Sequence, residues 1–388
     1  MGTVRAFAAW SMTAALLMLA APGAVADDAD DTARMQFERI MQGLNDNSFD
    51  RFHSATNKKV LTARIFDGRM VGADAKRAFT QDFNGSIERM FAASFPESKS
   101  DILATIVDFQ MRGDKGRAVV RYAASGYRYS YHVYELGLDA KGRITIVDWV
   151  DYYQGERFSA AAGLALVMAM PNKPAIRNLL DNKTISERDA FQVGELFKAA
   201  RDQNRARFFQ IYDDLDATLH REKVIARLHL QVALRAGDKA RTEKALQNLL
   251  QAFPDDALQS LRLVEFYLPM RRYEEAINAL VLLEEDLGIA DGALGSLKAM
   301  AALADGNMAD AEFFAEQATE AEPTLEVTWW SLLRARTAAE NYAGATVALT
   351  RLEDDFGLTL DAQKLARDRF LKVLADKPEF LAWRASRD

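Results

Sequence analysis

The chain has 388 residues, with 49 Lys and Arg against 56 Asp and Glu, a net charge of -7 and no cysteine. The missing cysteine excludes disulfides, thiolate metal sites and a cysteine nucleophile. The mild acidity disfavours nucleic acid as a partner, because phosphate binding needs concentrated Lys and Arg. A chain of this length exceeds one ordinary core and predicts two domains.

Residues 1–26 read as an export signal. Arg5 is the basic side chain of a short head, Ala6 to Ala21 form an apolar stretch, and Pro22-Gly23 break it. Ala24-Val25-Ala26 then supply the small residues a signal peptidase requires, ahead of the acidic Asp27-Asp28. The apolar run is short for a membrane span. The expectation is cleavage after Ala26 and delivery to the periplasm of a Gram-negative bacterium, with no transmembrane span left in the mature chain.

Residues 27–156 predict an α+β domain. Helical patterns cover about 32–43 and 74–92, and the apolar segment Val60 to Ile65 between them is expected as a strand. Four strands follow, at Ile102 to Met111, Arg117 to Ala123, Tyr127 to Leu138 and Arg143 to Tyr152. Gly113-Asp114-Lys115-Gly116 and Asp139-Ala140-Lys141-Gly142 supply the turns. Helices followed by an antiparallel meander predict helices on one face of a curved sheet. This order, with the phrase Gly142 to Trp149, resembles the cone-shaped nuclear transport factor 2 superfamily. A cystatin-like sheet or an unrelated α+β domain fits the same order. The resemblance implies a pocket between sheet and helices, serving a small ligand, an enzyme or self-association.

Alternation puts Tyr127, Tyr129, Tyr131, Val133 and Glu135 on one face of the third strand, and His132, Tyr134 and Leu136 on the other. On the fourth, Ile144, Ile146, Asp148 and Val150 alternate with Thr145, Val147, Trp149 and Asp151. Polar groups occur on both faces, so the inward face stays open. Tyr129, His132 and Asp148 are the candidate pocket residues, and His132 with Asp148 or Asp151 could form a base and its orienter. The ordinary reading of His132 is a strand residue with a hydrogen-bonded neighbour. The four histidines, at 53, 132, 220 and 229, show no close ligand-spaced pair and no HExxH. No catalytic residue, metal site or cofactor is assigned.

Residues 157–187 read as connecting helices. Phe158 to Met170 is apolar and uncharged, as a helix buried between domains would be. Pro171 and Pro174 bracket its exit.

Residues 188–385 carry helical periodicity and a repeat. Thr242, Ala276, Ala311 and Ala345 are spaced 34, 35 and 34 residues, and Pro254, Gly288, Pro323 and Gly357 follow them by 12 residues each. A phased period of this size, with one helix pair per unit, predicts a superhelical solenoid. The units resemble tetratricopeptide repeats. The small residue early in the second helix is kept at 242, 276, 311 and 345, and the bulky one three before it corresponds to Lys239, Tyr273, Met308 and Tyr342. Asp238, Asn307 and Asn341 fit the turn. The first-helix aromatic is kept only as Trp329, and Leu230, Val264 and Leu333 replace a small residue.

The resemblance implies a concave groove lined by the first helices and presenting Arg227, Gln231, Leu261, Glu265, Ser296, Met300, Trp330 and Arg334. Such a surface suits an extended peptide or a partner helix. Adjacent helix residues point about 100° apart, so one of Trp329 and Trp330 is expected buried and the other at least partly exposed, with Trp330 favoured as the exposed one. The leading expectation is an exported protein-binding scaffold. The alternative is a small apolar ligand or lipid held in the amino-terminal cavity.

Overall fold

The computed structural model describes residues 28–67, 72–93, 103–124, 128–169, 173–180, 185–254 and 256–387. The expected signal peptide, Tyr127 and Pro171 lie outside them.

Among the described residues the first elements are helices: α1 (Asp28–Asn45), α2 (Asp50–Ala55), α3 (Lys58–Phe66), α4 (Ala73–Gln81) and α5 (Phe83–Ala93). The segment expected as a strand, Val60 to Ile65, is therefore helical. Asn57 caps α3 by accepting the Val60 N–H at 3.2 Å, and Leu61 and Ile65, four apart, are both buried. The helix expected at 74–92 is two, broken at Asp82, whose backbone leaves the helical region.

The strands β1 (Leu103–Arg112), β2 (Lys115–Ala124), β3 (Arg128–Leu138), β4 (Ile144–Asp151) and β5 (Glu156–Arg157) form one antiparallel sheet in sequence order. Gly113, at φ 65°, makes the tight turn from β1 to β2. The pairing of β3 with β4 shifts, so that Glu135 faces Asp148 while Leu136 faces Ile146. Val147 is thus an extra residue, and a bulge reverses the alternation beyond it. Ile144, Ile146 and Trp149 consequently pack on one side of the sheet, and Val150 on the other. Strict alternation had placed Asp148 beside Ile146, and the bulge corrects that.

One side of the sheet carries the amino-terminal helices. Phe37, Phe52, Phe91, Tyr122, Tyr134 and Trp149 fill the space between with edge-to-face and tilted ring contacts. The chain then enters α6 (Phe158–Ala169), where Phe158 stacks on Trp149 at 3.9 Å between ring centres. Phe158, Ala162 and Val167 are buried, while Leu164 and Met168 reach a second core built from α7 (Lys173–Leu179), α8 (Glu187–Arg201) and α9 (Arg205–Asp213).

Helical hairpins follow: α10 (Lys223–Ala236) with α11 (Lys239–Ala252), α12 (Ser260–Tyr267) with α13 (Tyr273–Leu287), α14 (Gly292–Asp305) with α15 (Met308–Ala321), and α16 (Glu326–Ala338) with α17 (Tyr342–Asp354). The short α18 (Ala362–Ala366) and α19 (Pro378–Ala385) close the array. Thr242, Ala276, Ala311 and Ala345 are all buried early in the second helices, where the paired helices cross closely. Asp238, Asn307 and Asn341 cap those helices, each accepting a backbone N–H three residues on. The fold is mainly helical, with an antiparallel sheet followed by a tetratricopeptide-like array.

The sheet docks on the edge of this array where second helices end and the next first helices begin. Val119, Tyr131 and Tyr152 share a core with Leu261, Leu283, Leu287 and Leu294. Both faces of the sheet are therefore covered.

Candidate functional site

The docked face is held by charge as well as by apolar contact. Arg121, on β2 and 3% exposed, donates to Asp291 at 2.8 Å and to both Glu322 oxygens at 2.7 Å. Tyr131 donates to the other Asp291 oxygen at 2.9 Å. That same oxygen caps α14, accepting from Ala293 and Leu294 N–H. Burial works against the charge on Arg121, but the Glu322 hydrogen bonds and Asp291 outweigh it and hold the guanidinium above its usual pKa. Burial first, then Asp291, raises Tyr131. Along the same edge Arg117 donates to the Leu287 carbonyl at 2.6 Å, Arg262 to the Tyr153 carbonyl at 2.7 Å, and Tyr152 to Asp286.

With the sheet seated there, the expected groove residues fall into separate settings. Arg227 and Gln231 line a cleft of about 430 Å³ between α6, α10 and the start of α12. Leu261 is core and Ser296 is buried, donating to the Gly292 carbonyl, whereas Glu265 is exposed. Met300 and Arg334 line a second cleft of about 580 Å³ with Leu268, Leu297, Arg369 and Phe370. Met300 is 37% exposed there. Arg334 donates to Asp368 at 2.7 Å and lies 5.5 Å from the centre of the Trp330 ring.

Trp330 is partly exposed, as expected, but Trp329 is not fully buried. Both are half-buried against the same carboxy-terminal core. The Trp329 indole donates to the Pro323 carbonyl at 2.8 Å, and the Trp330 indole to Glu326 at 2.7 Å. Each ring lies along the array with its polar edge satisfied, so the 100° between them separates their partners rather than their burial.

The three candidate pocket residues are not brought together. Tyr129 sits on the solenoid side, 5.9 Å from the Arg121 guanidinium. His132 is fully buried on the other side, its Nδ1 3.2 Å from the Tyr134 hydroxyl and its Nε2 3.5 Å from Asp151. Asp148, also fully buried, accepts from Ser159 Oγ at 2.7 Å and Ser159 N–H at 3.2 Å, tying β4 to the start of α6. Arg64 and Arg157 flank it at 3.5 and 3.6 Å. His132 and Asp151 are thus near each other, but they are enclosed by rings and not in a cleft.

Sequence reasoning missed Arg121, Asp291 and Glu322, whose pairing spans 170 and 201 residues of chain. It also missed Arg369 and Phe370 in the second cleft. Their signal was an aromatic between charges, Asp368-Arg369-Phe370, just after the last full unit. Among the described residues no group of three or more His, Asp or Glu could hold a metal ion. No helix among them is long and apolar enough to cross a membrane.

No protein-family model matches the chain, and no curated protein matches it. Solved structures overlap parts of it. An RS-1 ArsTM double mutant of MamA is 15% identical, covering 45% of this chain and 97% of its own, at a TM-score of 0.34. PilW, described as a widely conserved type IV pilus biogenesis factor, is 13% identical over 52% of this chain and 93% of its own, at 0.33. The TPR2AB domain of yeast Sti1, in complex with pHSP90, is 17% identical over 56% and 93%, at 0.26. The assignment of the helical array rests on its own hairpins, caps and period.

Proposed function

We propose that the protein is an exported, periplasmic interaction protein whose carboxy-terminal cleft takes up a segment of a partner protein. The observation that carries this reading is the cleft between α12, α14, α16 and residues 367–370. It combines the half-open Met300 with Leu268, Leu297 and Phe370 and with the basic Arg367 and Arg369. Such a lining fits a peptide that brings one apolar anchor and a carboxylate. The groove role first assigned to Arg227 and Gln231 is not part of this reading, because the sheet and α6 stand over that end. The order of helices and strands in the first half supports kinship with the nuclear transport factor 2 cones. Aromatic rings fill the space beneath its helices, so ligand storage there is not part of the reading either.

The test is selection of a displayed peptide library on the mature chain. Enrichment of apolar peptides with acidic neighbours, lost by about tenfold or more in Met300→Glu and Arg369→Glu at unchanged circular dichroism, supports the cleft. Enrichment indifferent to both substitutions, or none, refutes it. For export, the prediction is a periplasmic chain whose amino terminus is Asp27. An intact Met1 terminus in the cytoplasm contradicts it.

A further inference from the structure

The apolar helix α6 is uncharged along its length, and burial between cores accounts for only part of it. Phe158, Ala162 and Val167 are buried, but Ala161, Leu164, Ala165 and Met168 line the 430 Å³ cleft, with Ala165 exposed. Their spacing of three, one and three residues makes one stripe of the helix. The facing wall is α10, where Lys223, Arg227 and Gln231, four apart, line the same cleft. The α6 wall is therefore apolar, while α10 brings Lys223, Arg227 and Gln231 beside Val224, Leu228 and Leu230, and the volume lies in the range of small-molecule sites, roughly 300–1,000 Å³.

The charges in the cleft are not equally matched. Asp256 takes Arg227 at 2.8 Å and Lys223 at 3.2 Å. Glu156 and Glu222 also line the cleft, and neither is without a partner. Arg262, which also lines the cleft, has only the Tyr153 carbonyl at 2.7 Å and the Tyr153 ring, 5.1 Å from its guanidinium. Among the described residues no carboxylate lies within ion-pair distance of it. Burial lowers its pKa, with Tyr153, Glu265 and Asp151 working the other way. Arg227, though paired with Asp256, keeps a buried Nε that has no hydrogen-bonding partner among the described residues. A desolvated cation with no carboxylate in direct contact is unfavourable, and an anionic head group placed against Arg262 supplies one.

We propose that this junction cleft binds a medium-chain carboxylate, its head group on Arg262 and its alkyl chain along Ala161, Leu164, Ala165 and Met168. The site is separate from the carboxy-terminal cleft, and it differs from a cavity inside the amino-terminal domain because both halves of the chain build it.

The experiment is titration calorimetry of the mature chain with decanoate, decan-1-ol, acetate and decyltrimethylammonium. Decanoate is expected to bind one to one, with the other three weaker by about tenfold or more. Arg262→Gln should lose about tenfold for decanoate and nothing for decan-1-ol. Arg262 also holds the Tyr153 carbonyl, so a second variant guards against misfolding. Ala165→Phe fills the cleft from an exposed position and should abolish binding at an unchanged melting temperature. Equal binding of the decyl cation, wild-type affinity in a folded Ala165→Phe, or no decanoate binding at all overturns the proposal. Peptide selection reads the other cleft, so either proposal can fail while the other stands.

Discussion

The two faces of the sheet are both buried, but by different means. On the amino-terminal side Tyr122, Tyr134 and Trp149 meet phenylalanine rings, and the Tyr122 and Tyr134 hydroxyls lie 2.6 Å apart, while Ser130 Oγ and His132 Nε2 make no hydrogen bond among the described residues. On the solenoid side a smaller apolar core is ringed by Arg121, Asp291, Glu322 and the Tyr152–Asp286 pair. Ring packing is tolerant of small shifts, whereas a bidentate arginine at 2.7 Å accepts one geometry. The second face ties the sheet to the array through directed hydrogen bonds. The charged face also depends on its partners all being present, because a buried ion pair contributes little net energy yet is costly to break.

The largest effect should come from the ring face. Trp149→Ala removes the stack on Phe158 and should cost toward the upper part of roughly 3–5 kcal/mol, read by denaturant unfolding. Arg121→Ala leaves Asp291 and Tyr131 buried without their cation and should cost about 3–4 kcal/mol. Hydrogen exchange separates the two variants. The first should loosen α1, α2 and α6, and the second β2, β3 and the start of α14. Protection lost equally on both sides by either substitution would erase the contrast between the faces.

A third kind of buried polar group lies away from the sheet. His229 is 2% exposed, stacked 3.7 Å from Tyr212, and burial first, then Arg241, lowers its pKa to about 4. Below pH about 6.5 the unfolded chain takes up a proton here that the folded chain refuses until about pH 4. Stability should therefore fall as pH drops through that window, by at most roughly 3 kcal/mol, and level off below it. His229→Phe should flatten the slope, and an unchanged slope would assign it to other groups. The smallest effect is expected of Tyr152→Phe, which takes one hydrogen bond from Asp286 and should cost about 1 kcal/mol. A loss comparable to that of Arg121→Ala would make the whole rim, and not the arginine, the determinant of docking.

The solenoid was legible because its evidence is periodic. A small side chain where two helices cross, a side-chain cap before the second helix and a helix stop 12 residues on are local requirements repeated at a fixed interval, and counting finds them. The strands were legible from their turn residues. Val60 to Ile65 was not, since a short apolar run fits a strand or a helix face equally, and the Asn57 cap decided it. The bulge at Val147 was invisible because nothing in Ile144 to Asp151 marks the residue that goes unpaired. The bulge also turns Asp148 away from the face of Ile146. Tyr129 and His132 are three apart on one strand and so take opposite faces, and both faces turned out to be covered.

The sequence by itself determined the elements and the repeat, because helix period, caps and turns depend on residues within a few positions of one another. It also determined that α6 would be apolar, though not what its open stripe faces. Only the tertiary structure decided that the sheet seats on the edge of the array, which divides the expected groove between two clefts. Arg121 finds Glu322 across 201 residues, and a pairing over that distance leaves no local pattern to read. It follows from which surfaces remain apolar, and which charges remain unmatched, once the local elements have formed.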